Sequence, residues 1–229
     1  MPLSLPPPVG MLRPMNPWAL IREAGRVARD RWRTMLLAVA VLALGVALLV
    51  PHDVAWHRWL CEHRHEPWIG LARRLSYWGD LLGTLIVCGV IWLVGWWRQR
   101  SRWRVAVVAA VLAACCAGLE VVSLRFVLGR PRPSTRVADG LRGPSLDWRY
   151  ASFPSGHSSV AFGTAGALLV ALPPVGVPVL IGAGGVSWSR VYNGAHYPSD
   201  VWAGAWFGLL NGFVFGAAAR RLLRPVKQP

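Results

Sequence analysis

Late in the chain, Ser189, Arg190, His196 and Asp200 stand at fixed spacing in a short polar stretch between two apolar segments. A helix is predicted to begin at Pro198, whose missing N–H costs nothing at a first helical position. His196 and Asp200 then lie about one turn apart near that helix's start, where their side chains can meet. A histidine oriented by a carboxylate suits a nucleophile, and an arginine beside it suits an anion clamp. Two upstream stretches carry matching chemistry. Pro154-Ser155-Gly156-His157 stands where a loop enters an apolar segment. Glycine there lets a ligand approach the backbone, and free N–H groups at a helix start bind anions. Arg125, followed after six residues by Arg132-Pro133, supplies planar cations that match phosphate oxygens.

The elements that must carry these residues are membrane helices. Of 229 residues, 54% are hydrophobic and 15% charged, and the apolar residues gather into long runs almost free of charge. That is the pattern of a polytopic membrane protein, here an all-α bundle. Predicted spans cover residues 34–50, 81–97, 105–127, 157–172, 175–188 and 201–219, so residues 34–229 form one six-span domain. Residues 1–17, rich in proline, read as a disordered cytosolic tail. Residues 18–33 read as a basic amphipathic helix in the membrane surface, with Trp18, Ile21, Gly25, Ala28 and Trp32 on one face, or equally as a cytosolic extension of the first span. Between the first two spans, residues 52–78 read as two short interfacial helices parted at Pro67, and residues 98–104 as a basic loop.

The formal net charge of +15 raises the question of nucleic acid. The arginines, however, cluster at the ends of apolar runs, where they mark topology and meet anionic lipid headgroups, and this excludes nucleic acid as the expected partner. Six spans put both termini on one side, and the basic residues before the first span, after the second and after the sixth make that side cytoplasmic. Arg132, His157 and His196 then emerge together on the extracytoplasmic face. Fourteen tryptophans mostly flank the apolar runs, as interfacial rings do. Three of the four cysteines (Cys88, Cys115, Cys116) lie inside apolar runs, so no disulfide framework is implied.

Together the polar stretches closely resemble the type 2 phosphatidic acid phosphatase superfamily, the lipid phosphate phosphatases. Its pattern is a lysine, six residues, then Arg-Pro; next Pro-Ser-Gly-His; then Ser-Arg, five residues, His, three residues, Asp. The second and third stretches match fully, whereas Arg125 stands where the family usually has lysine, keeping the charge on a larger fork. The resemblance implies a six-helix core shared with haloperoxidases, whose members are soluble. It implies that His196 attacks phosphorus to form a phosphohistidine while Asp200 holds its tautomer, and that His157 is the general acid. It implies that Arg125, Arg132, Arg190, Ser155 and the Gly156 amide hold the phosphoryl oxygens, with no metal and no cofactor.

The expected protein is thus an integral membrane phosphatase, of the bacterial inner membrane, acting on a membrane lipid phosphate or diphosphate at the periplasmic or outer face. Undecaprenyl diphosphate, phosphatidic acid, phosphatidylglycerol phosphate and lipid A are the expected substrate range, with no obligate protein partner. Phosphotransfer from the same phosphohistidine to another lipid, and a non-catalytic lipid-binding or transport role, are the alternatives. His52, His57, His63 and His65 share an interfacial segment with tryptophans and read as headgroup-facing, not as a metal site. Glu120, inside the third span, reads as half of a buried pair with an arginine across the bundle.

Overall fold

Pro17, Pro67, Pro173 and Pro198 each occupy the opening turn of a helix, where a residue without an N–H leaves no intrahelical bond unmade. The computed structural model describes residues 16–135 and 137–224. Its helices are α1 (Pro17–Asp30), α2 (Trp32–Leu49), α3 (Asp53–Glu62), α4 (Glu66–Trp78), α5 (Leu81–Trp97), α6 (Ser101–Leu128), α7 (Gly156–Ala171), α8 (Pro173–Tyr192) and α9 (Pro198–Leu222). No strand occurs among the described residues, so the expected all-α class holds. The expected N-terminal tail lies outside the described residues except for Asn16 and Pro17, which cap and open α1.

Every expected span is a helix. Among the described residues, three helical stretches are by length and composition apolar enough to cross a membrane: Trp32–Glu62 (α2 through α3), Ser101–Leu128 and Pro198–Leu222. A fourth is reached if α4 and α5, bent by 71° at Gly79 and Asp80, form one span. A short 3-10 turn at Val50–His52 carries the chain from α2 into α3. Residues 101–104, expected in a basic loop, form the first turn of α6. The turn is confined to residues 98–100, where Gln99 takes φ 52°. Helix α8 outruns its expected end by four residues, which places Ser189 and Arg190 on a helix.

Helix α7 is the centre of the bundle, packed on α6, α8 and α9. Its fit to α9 depends on a stripe of glycines at Gly204, Gly208, Gly212 and Gly216. A Cβ at Gly212 would lie 2.8 Å from the Gly163 carbonyl oxygen, and one at Gly216 would lie 2.7 Å from that of Ala167. Gly204 and Gly208 press still closer on Ser155 and Ser159. Small residues let helix backbones approach and gain dispersion where lipid offers no hydrophobic drive. The contacts rise in step along both helices, so α7 and α9 run parallel with their N-termini side by side. Helix α6 contributes a matching buried face of Ala106, Ala109, Ala110, Ala113 and Ala117.

Helix α1 presents a face to α9, and one expected pairing is corrected. Helix α1 buries Leu20, Ala24 and Val27 in a cluster with Phe215, Ala218 and Ala219 of α9, and leaves Trp18 67% exposed. The branched and small side chains fit the α9 surface, and the bulky indole is turned outward. Glu120 is exposed, and its partner is Asn211 of α9, whose Nδ2 donates to Oε2 at 2.9 Å, not an arginine.

Candidate active site

The loop between α8 and α9 carries His196. It turns at Gly194, whose φ of 68° falls where a side chain is disfavoured. The Ala195 and His196 N–H groups both return to the Arg190 carbonyl, at 3.0 and 3.3 Å. This closure points the imidazole inward, and His196 is 1% exposed. Its Nδ1 lies 2.8 Å from the Ser152 carbonyl oxygen. A carbonyl only accepts, so the proton resides on Nδ1 and the lone pair on Nε2. Nε2 is buried and has no hydrogen-bond partner among the described residues. Burial drives the His196 pKa down to about 3, against the raising effect of Asp200, and the charges of Arg125 and Arg132 push the same way as burial. The ring is therefore neutral at ordinary pH.

Asp200 closes the first turn of α9 by accepting the Tyr197 N–H at 2.8 Å, and it is fully buried. Its Oδ2 also accepts the Ser152 hydroxyl at 2.6 Å, while Oδ1 accepts Arg130 Nη1 at 2.7 Å. The expected direct bond to His196 is longer than a hydrogen bond, with Nδ1 to Oδ2 at 3.6 Å. Asp200 thus bears on His196 by charge and through Ser152, whose hydroxyl it holds and whose carbonyl holds the ring.

Arg130 and Ser152 were absent from the sequence reading, as were Asp53 and Asp139. Arg130 lies on Asp53, Asp139 and Asp200 together, and its guanidinium carbon sits 4.4 Å from the Tyr197 ring centroid. Burial opposes the arginine's charge, but the bond to Asp139 and the charge of Asp200 hold its pKa above the usual range. Asp139 is held below the usual carboxylate range by the Arg130 bond, and burial pushes the Tyr197 phenol up to about 12. One signal was available: the stretch after α6 writes Arg-Pro twice in succession, at 130–131 and 132–133, and motif spacing selects only the second.

The remaining expected residues gather around the paired starts of α7 and α9. Arg125 donates from Nε to the Pro154 carbonyl at 2.7 Å, and a Cβ on Gly156 would lie 3.1 Å from both of its terminal nitrogens. Glycine at 156 is what lets the guanidinium lie against the backbone. Arg132 is anchored by Nε on the Trp148 carbonyl at 3.0 Å. Ser155 accepts from Ser158 at 3.2 Å, which leaves its own hydroxyl proton free to donate, and its N–H meets the Asp200 carbonyl at 2.9 Å. His157 and Arg190 line one open pocket with Arg73, Ser76, Tyr77 and Asp80. There Arg190 donates from Nη1 to Ser76, while its Nε is buried without a partner among the described residues. Two parallel helices present their positive ends to the same region, a disposition that favours a bound anion. Among the described residues no cluster of three or more His, Cys, Asp or Glu side chains is arranged to hold a metal ion.

Directly beneath this pocket lies an apolar groove. Ala161 and Thr164 lie one and two turns below His157 on α7, and Val186 and Ala183 lie one and two turns below Arg190 on α8. Leu75 and Trp78 of α4 and Val87 of α5 close its third side.

Comparison with known proteins bears on this constellation. The family model described as PAP2 superfamily matches residues 103–222. A lipid A 1-phosphatase of Rhizobium johnstonii is 43% identical over 109 residues, covering 43% of each chain, so this chain spans less than half of that relative's length. A decaprenylphosphoryl-5-phosphoribose phosphatase of Mycobacterium tuberculosis is 31% identical over 153 residues, covering 64% of this chain and 77% of the relative. The crystal structure of Aquifex aeolicus LpxE superposes with a TM-score of 0.54 at 21% identity, covering 71% of this chain and 93% of that one. A PAP2 type phosphatidylglycerolphosphate phosphatase from Bacillus subtilis gives 0.53 at 18% identity, covering 88% and 94%. The shared fold and the apolar helices make this chain an integral membrane protein.

Proposed function

The chain belongs to the PAP2 superfamily, and from that premise we propose that it is a phosphatase that removes a phosphoryl group from a membrane lipid through a phosphohistidine on His196. The observation that carries this reading is the tautomer of His196: Nδ1–H on the Ser152 carbonyl, Nε2 bare, the ring buried and neutral. In the first step the Nε2 lone pair bonds to phosphorus. The bond to the lipid oxygen breaks, and its electron pair leaves with that oxygen, which takes a proton from His157. In the second step water attacks phosphorus and gives its proton to His157, and the N–P pair returns to Nε2. Arg125, Arg132, Arg190, the Ser155 hydroxyl and the Gly156 amide hold the oxygens on which charge accumulates. No metal or cofactor enters either step.

A lipid substrate is supported by the groove beneath the pocket, which offers an apolar chain a path into the membrane from a phosphoryl group held at His157 and Arg190. The relatives act on lipid A and on a decaprenyl-linked phosphate by name, so lipid A keeps its place beside undecaprenyl diphosphate, phosphatidic acid and phosphatidylglycerol phosphate, and a decaprenyl-linked phosphate joins them as a substrate to compare. Six crossings, cytoplasmic termini and a site on the periplasmic face of the bacterial inner membrane complete the proposal. The arginine distribution supports that orientation.

The test is phosphate release from that panel by purified protein in detergent, with EDTA present and His196→Ala in parallel. Release by the wild type alone is expected. Equal release by both proteins would remove His196 from the mechanism, and transfer of the phosphoryl group to a second lipid would replace hydrolysis by phosphotransfer.

A further inference from the structure

Arg130 is 4% exposed and meets three carboxylates from three parts of the chain. It grips Asp139 with two parallel bonds, Nε to Oδ1 at 2.8 Å and Nη2 to Oδ2 at 2.7 Å. Nη2 also reaches Asp53 Oδ2 at 2.8 Å, at the start of α3, and Nη1 reaches Asp200 Oδ1 at 2.7 Å. Asp53 is further tied to Ser199, through its backbone N–H at 3.0 Å and through its hydroxyl. A guanidinium bound to Asp200 alone would fix that carboxylate but cancel much of its charge. Here one cation is shared among three anions, so the cluster stays net negative. Asp200 is held in place, and its field still acts on His196 Nδ1 at 3.6 Å.

We propose that Arg130, Asp53 and Asp139 form a positioning set for the nucleophile, Arg130 fixing Asp200 while the two outer carboxylates keep the Asp200 side of His196 net negative. The inference rests on the phosphohistidine reading above. When Nε2 bonds to phosphorus, Nδ1 keeps its proton on the Ser152 carbonyl and the ring becomes a cation. That cation forms in a buried place, where charge is costly unless opposed. The anionic cluster opposes it. None of the three is among the residues assigned to the phosphoryl oxygens.

The variant to make is Asp139→Ala, because Asp139 sits on a loop with its side chain 21% exposed and makes no contact with Asp200 or His196 in the bonding pattern described. Expected results are a kcat lower by about tenfold, a KM within about twofold, and phosphoenzyme formation slowed to match kcat in rapid-quench experiments. Asp139→Glu should recover most of the rate. If Asp139→Ala does not yield folded protein, Asp139→Asn carries the same readouts. A wild-type kcat per folded molecule, or a loss confined to KM, overturns the proposal. Absence of any phosphoenzyme in the wild type would instead overturn the phosphohistidine reading, so the two failures are told apart.

Discussion

Helix α9 is held in two different ways along its length. At its first turn the hold is electrostatic and directional: Asp200 takes bonds from Arg130, Ser152 and Tyr197, and Ser199 is tied to Asp53. From Gly204 to Gly216 the hold is the absence of side chains, which brings the helix backbone onto α7. The polar turn decides where atoms of the site point. The glycine stripe decides that Ser155–His157 and His196–Asp200, carried at the starts of two parallel helices, face one another at all. A change in the first region should alter chemistry within an intact bundle, and a change in the second should take the bundle itself.

The largest effect is expected from the stripe. Gly208→Leu forces a side chain onto Ser159 and Phe162, beyond the relief that rotamer changes give, and should cost more than the ~3 kcal/mol at the upper end of ordinary overpacking. Little monodisperse protein should survive size-exclusion chromatography. Normal yield and normal turnover in that variant would break the comparison. At the polar end, His196→Ala should abolish turnover while leaving yield and melting behaviour close to wild type. Asp200→Asn should reduce kcat by roughly a hundredfold or more with little change in KM, since it weakens the field on His196 and disturbs Ser152 without touching the substrate pocket. A raised KM at unchanged kcat would place Asp200 in binding instead.

The smallest effect concerns acid stability. His196 is held neutral in the fold, with a pKa of about 3 against an unfolded value near 6.5. The unfolded chain therefore binds the extra proton first, and stability falls as pH drops from about 6.5 towards 3. Between pH 7.5 and 5 the wild-type melting temperature should decline more steeply than that of His196→Asn. Parallel declines would sink the assignment of that slope to His196.

Much of this arrangement was legible in the chain as written. The three polar stretches announce themselves because each is local, and helix periods and prolines give the elements that carry them. What was not legible is what depends on distant partners. Asp53 meets Ser199 across 146 positions, and Glu120 meets Asn211 across 91. No spacing rule selects Asn211 over an arginine. Helix α1 has a second face for a related reason: apart from the side that carries Trp18, its Leu20, Ala24 and Val27 meet the surface of α9. The partner's shape, not the helix's own pattern, chose the buried side. Ser152 escaped because the atom that matters is its backbone carbonyl, which every residue possesses.

That carbonyl has a regiochemical consequence. With Nδ1 committed to Ser152, the imidazole offers only one nitrogen to any electrophile. A phosphoryl group, or an alkylating probe small enough to enter, should be found on Nε2 with no Nδ1 isomer beside it. Peptide mapping that distinguishes the two ring positions would read this directly, and it would do so in protein trapped at any stage of turnover.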